Sequence, residues 1–253
     1  MSLAQSKQDI LRRVRAALHS EPRLGPKYRP GRLEIDDDGT LAIEGEVPSV
    51  AAKKLALERI AALEEVTGII DRLHVEPASP MGDAKIHAHL RRIFSQEPAF
   101  ANLVVRQMHH EAFEPIYQPI YEVVAGDPSK SRGHIDVEVR EGVVTLNGRV
   151  PGLNSKRLAG VMAWWVPGVR DVVNGMAVEP PEEEAPIRIE EAVRTALERN
   201  PFINAGQVRV RVRHCEVRLT GLLPNADLRK MAERDAWCVF GVNNVINEIE
   251  VRP

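Results

Sequence analysis

The stretch GVVTLNGRVPG, Gly142 to Gly152, recurs twice in altered form, as GTLAIEGEVPS from Gly39 and CEVRLTGLLPN from Cys215. Each copy alternates apolar and polar residues, the period of a half-buried strand, and each contains a glycine followed three residues later by proline. With Gly45, Gly148 and Gly221 as anchors, Pro48, Pro151 and Pro224 fall three residues on, and Ala56, Ala159 and Ala232 eleven on. Val66, Val169 and Val242 follow at twenty-one, and Val75, Val178 and Val251 at thirty, with no gap in any copy. A chain with such a register is three versions of one small unit, so its fold must be one that a unit of about 70 residues can form.

The periodicity within a unit predicts helix, strand, strand, helix, strand. Ile10, Val14 and Leu18, then Ile86, Leu90 and Phe94, then Ile189, Val193 and Leu197 are each spaced four apart, on one helical face. Each run meets a proline (Pro22, Pro98, Pro201) that stops the helix. Asp38-Gly39 and Glu141-Gly142 occupy a hairpin position. His214-Cys215 stands there in the third unit and tolerates positive φ poorly, which predicts a different turn. Gly168 and Gly241 are expected to cap the second helix in the left-handed conformation. The closing strand needs a crossover, right-handed if it runs parallel to its neighbour. The expected domains are residues 5–77, 82–180 and 185–253, joined by the proline-broken segments EPASPMGD and EPPEEEAP.

This arrangement resembles the BON domain family (bacterial OsmY and nodulation), a transport-associated family of αββαβ modules. The resemblance rests on GVVTLNG, on the alanine and VPGV of the second helix and its end, and on the closing VVNGMAV or VINEIEV. It implies an α+β fold of three tandem modules, each a small three-stranded sheet packed against two helices. It also implies a bacterial, non-catalytic binding role: phospholipid or envelope partners, osmotic stress, or, in a cytoplasmic branch, potassium. No catalytic residue belongs to the family pattern.

On the second helix, the ninth residue after each anchor should face outward, and it is basic: Lys54, Arg157 and Lys230. The eighth is basic too: Lys53, Lys156 and Arg229. The sixteenth places Trp164 and Trp237 on the same line, and Val161 makes the face of the second copy apolar. Such a face suits a lipid interface, where the ring sits at headgroup depth and cations meet phosphates. It equally suits packing of one repeat on another, because small units need mutual burial. A solvated face supported by spacings such as Lys54 to Glu58 is the third reading.

The second copy carries an insertion, about residues 103–133, since Pro98 lies 50 residues before its anchor where Pro22 and Pro201 lie 23 and 20 before theirs. PIYEVV, before the turn-rich AGDPSKSRG, predicts an extra strand pairing with HIDVEV. Tyr117 and Tyr121 would give that flap an interface surface, against a neighbouring repeat or a second copy in a homo-oligomer. His109, His110 and Glu111, like His87 and His89, have poor chelating geometry, so no metal site is expected. The Asp36–Asp38 run precedes a hairpin glycine and reads as turn chemistry.

A net charge of −2 gives no case for nucleic acid, so a cationic surface must be local. Cys215 and Cys238 form neither a disulfide framework nor a metal cluster. No nucleophile with a base, no convergent carboxylates and no phosphate-cradling loop stands in a recognisable context, so no enzyme activity and no cofactor are expected. The N-terminus as written lacks the hydrophobic core of a signal peptide, which implies a cytoplasmic protein, or a periplasmic one if Met1-Ser2-Leu3 replaces a removed signal.

Overall fold

The computed structural model describes residues 3–109 and 120–252. The chain divides into two compact units, residues 1–76 and 77–253. In the first, helix α1 (Leu3–His19) precedes strands β1 (Arg32–Ile35) and β2 (Thr40–Val47), helix α2 (Val50–Ala61) and strand β3 (Gly68–Val75). β1 and β2 are antiparallel, and β3 returns parallel to β2, in the order β1-β2-β3. Val14 and Leu18 of α1, Ala52, Ala56 and Ile60 of α2, and Leu41, Ile43 and Leu73 of the sheet are buried together as the core. α1 ends before Pro22, where the Glu21 carboxylate accepts a hydrogen bond from Arg23 N at 3.1 Å. α2 begins at Ser49, whose Oγ accepts from Ala52 N at 3.1 Å, satisfying one of the first-turn donors.

The second unit holds two more copies. The first has α3 (Asp83–Gln96), β4 (Val104–His109), β5 (Ile120–Ala125), β6 (His134–Arg140), β7 (Val143–Val150), α4 (Leu153–Trp164), β8 (Asp171–Asn174) and β9 (Ala177–Val178). The second has α5 (Pro186–Arg199), β10 (Val208–Arg213), β11 (Glu216–Leu223), α6 (Ala226–Cys238) and β12 (Asn244–Val251). β12 pairs parallel to β11, and β8 and β9 parallel to β7, so each module closes with the same parallel return. The expected α+β architecture of three repeated αββαβ modules is the observed one.

The anchor glycines serve close backbone approach. A Cβ at Gly148 would lie 2.3 Å from His134 O, and one at Gly221 would lie 2.0 Å from Gln207 O. Only hydrogen fits where the hairpin strands bend together.

Three local expectations are corrected. The insertion contributes two strands, not one: the sheet order is β5-β4-β6-β7-β8, and HIDVEV pairs with β4 in parallel while IYEVVA lies outside β4. Val105 is buried in the core of this module and gives β4 the inner place, whereas β5 carries exposed Ile120, Tyr121 and Val123. The third hairpin keeps two positive φ angles despite its residues, +47° at His214 and +64° at Cys215, as Glu141 and Gly142 do at +53° and +78°. Gly168 is not left-handed, unlike Gly241 at +88°; a Cβ there would lie 2.3 Å from Met81 Cβ, so the constraint is space.

Candidate functional site

The second helices were expected to offer an outward cationic and aromatic line. In the 77–253 unit, α4 packs against both α5 and α6 of the following repeat. Its sequence LAGVMA is apolar or small on every side, which is the pattern of a helix covered all round. Arg157 and Val161 are therefore buried, as is Trp237 of α6, each 1% exposed, and they are not a surface for lipid. Trp164 is half-buried against the core of its own module. Lys156 is half-exposed with its Nζ 5.8 Å from the centre of the Phe240 ring, and Arg229 and Lys230 remain exposed on α6.

The helices are joined by polar contacts that the sequence reading missed. Arg157 Nε donates to Phe240 O at 3.0 Å, and its Nη2 to the Glu184 carboxylate. Trp165 Nε1 donates to Asp235 Oδ1 at 3.0 Å, and Asn200 Nδ2 to Asp235 Oδ2 at 2.5 Å. Asp235 is fully buried, and that burial pushes its carboxyl above the ordinary value, against the pull of the two donors. Glu97 accepts from Arg199 Nε at 3.0 Å, another contact between the repeats. The signal that could have found this set is positional: Arg59, Met162 and Asp235 stand at one place in the three copies, as do Glu21, Glu97 and Asn200 before the helix-ending prolines.

The segment joining the two repeats lies along the start of α4. The cap residue Gly152 has no side chain to satisfy the first amides, and Glu182 Oε2 supplies an acceptor to Leu153 N at 2.9 Å. The same oxygen lies 3.4 Å from Arg188 Nη1. Glu184 pairs with Arg157, as above.

Each sheet has a face turned from its helices. In the last repeat Val210, Val217 and Leu219 point into the core, so Arg209, Arg211 and Arg213 of β10 and Arg218 of β11 take the opposite, exposed face. Arg211 lies 3.6 Å from Glu190, and Arg218 pairs with Glu248. Arg209 and Arg213 have no ion-pair partner among the described residues. In the middle repeat Arg106 holds Asp136 with two bonds of 2.6 and 2.8 Å, and its guanidinium stacks 4.5 Å from the centre of the Tyr121 ring. Tyr121 is thus a partner of Arg106 with 41% of its surface exposed. Tyr117, His110 and Glu111 lie outside the described residues. Among the described residues no group of three His, Cys, Asp or Glu side chains could hold a metal, and no helix is long and apolar enough to cross a membrane.

A family model described as BON domain matches residues 6–77, 115–180 and 188–253. No curated protein matches the chain. Among solved structures it is similar to CdsD, described as a structural protein of the type III secretion system of Chlamydia trachomatis, in two determinations, one of them of the C-terminal domain. Both share 16% identity across 97% of this chain, with a TM-score of 0.24, and the match covers 98% and 93% of those chains.

Proposed function

Because the chain belongs to the BON domain family and carries its module three times, we propose that it is a non-catalytic protein that binds an anionic phospholipid surface. The observation that carries this reading is the arginine face of the last repeat. Arg209, Arg211 and Arg213 alternate along β10 with Arg218 beside them, all exposed, on a chain whose net charge is −2. Successive arginines on one side of a strand stand about 7 Å apart, a spacing that lets each meet a separate headgroup phosphate. A basic side chain near an anionic leaflet contributes about 1 kcal/mol, so such a row supports weak, reversible association. This surface replaces the buried line of Arg157, Val161 and Trp237, while Arg229 and Lys230 offer a further cationic pair on α6.

The test is sedimentation with phosphatidylglycerol vesicles against phosphatidylcholine vesicles at two salt concentrations. Binding should favour the anionic lipid, weaken with salt as screening shortens to about 10 Å at 0.1 M, and fall in Arg209→Gln/Arg213→Gln. Equal binding to both lipids, or binding untouched by that pair, would defeat the proposal.

A further inference from the structure

We propose that the acidic segment Glu182–Glu184 is a built-in occupant of a phosphate site on α4, which opens to phosphate-bearing ligands when those carboxylates leave. The site has three parts. The first is the amino end of a 12-residue helix whose cap, Gly152, offers no side-chain acceptor. Its Leu153 amide points instead at Glu182 Oε2, 2.9 Å away. The second is Arg157, 1% exposed, whose Nε is held by Phe240 O and whose Nη2 meets Glu184, while Nη1 is buried with no hydrogen-bond partner among the described residues. The third is Lys156, whose ammonium lies over the Phe240 ring and makes no ion pair among the described residues. Arg188 adds a third cationic group at 3.4 Å from Glu182.

Backbone amides at a helix start and neighbouring cations are the groups that recognise phosphate, and a buried guanidinium with an unused N–H can donate to another oxygen. Two carboxylates now supply those oxygens. Glu184 is tethered between the prolines of EPPEEEAP and keeps 55% of its side chain in solvent, so it can leave without unpacking a core. Held by its own linker, the segment competes with any external anion, and apparent affinity falls by the fraction of time the site is free.

The choice of a lipid as one source of phosphate rests on the function proposed above, but the site itself requires only phosphate. The probes are inorganic phosphate, against chloride at equal ionic strength, and phosphatidylglycerol vesicles. Glu182→Gln/Glu184→Gln should bind phosphate about tenfold more tightly than the wild type, the gain expected if the segment occupies the site about nine-tenths of the time. Lys156→Gln in that background should remove most of the gain. In the unsubstituted chain, phosphate should shift the Leu153 amide resonance, a measurement that needs no variant to fold. No gain in the double variant with an unmoved Leu153 resonance would overturn the proposal. A gain for phosphate without one for vesicles keeps the site and assigns it to a soluble ligand. Vesicle binding equal in wild type and double variant, with no phosphate gain, keeps the membrane reading and removes this one.

Discussion

The first repeat and the middle one solve the same burial problem with opposite wiring. In the first, the residue before the helix-ending proline, Glu21, is 4% exposed and pairs at 3.0 Å with Arg59 of its own second helix. In the middle repeat the position matching Arg59 is Met162, packed in the core, and the carboxylate matching Glu21 is Glu97. Glu97, 6% exposed, takes its cation from the next repeat, Arg199. In the last repeat the matching pair is Asn200 and Asp235, and Asp235 also accepts from Trp165 of the middle repeat. A buried polar group must be paired, but the fold does not dictate with whom. Replacing one arginine by methionine turns an internal pair into a bond between modules.

The outward line of the second helix shows the same divergence. At its sixteenth position stand exposed Ala61, half-buried Trp164 and buried Trp237. The largest expected effect separates them. Trp237→Ala should cost about 3–5 kcal/mol in denaturant unfolding of the full chain. Ala61→Ser, at the matching place, should fall within about 0.5 kcal/mol. Similar costs at both sites would erase the contrast between the first repeat and the joined pair.

Asp235 comes next. Asp235→Ala strands Trp165 Nε1 and Asn200 Nδ2, and an unsatisfied buried donor costs about 1–3 kcal/mol. Asp235→Asn isolates its charge. Because burial raises the folded carboxyl above 3.8, the folded state holds the proton more tightly than the unfolded chain. Its stabilising contribution is complete below that value and is lost as pH rises through the folded one. As pH rises above about 4 the wild type should therefore lose stability relative to Asp235→Asn, read as a shrinking gap in urea midpoints or a reversal of their order. A gap independent of pH would mean that the two donors fully offset the cost of burying the charge.

The order of elements was legible because it rests on local periodicity and on prolines and glycines whose constraints hold in any context. Leu41, Val144 and Val217, at matching positions of the hairpin, are all buried. The site was less so. A helical wheel assigns one buried side, and it turned Arg157 outward; two partners bury it on both sides. The residues that cover α4 come from another repeat, and no spacing within α4 names them. The insertion misled for a related reason. Parallel pairing of β4 with β6 is a long-range choice, and PIYEVV was the better strand by composition.

The smallest expected effect concerns the hairpin turns, where the comparison is among all three copies. The first repeat turns through Asp36 to Thr40, with Asp36 N donating to Thr40 O at 2.9 Å and Gly39 alone at positive φ, +86°. The second places glycine at the second left-handed position, Gly142. The third holds Cys215 there at +64°, where its Cβ crowds the backbone. The conformation persists because Asn243 N donates to Cys215 O at 2.9 Å, tying the turn to the start of the last strand. Cys215→Gly keeps that carbonyl and removes the crowding, at the cost of a more flexible unfolded chain. The steric gain should exceed the entropic loss, leaving the variant more stable by about 0.5–1 kcal/mol. Glycine at exposed Ala61, the last residue of α2, gains no relief and loses some helix propensity, so it should destabilise, by less than the interior cost of about 1 kcal/mol. Loss of stability in Cys215→Gly would show that the side chain, half-buried at that turn, contributes more than its backbone angle costs.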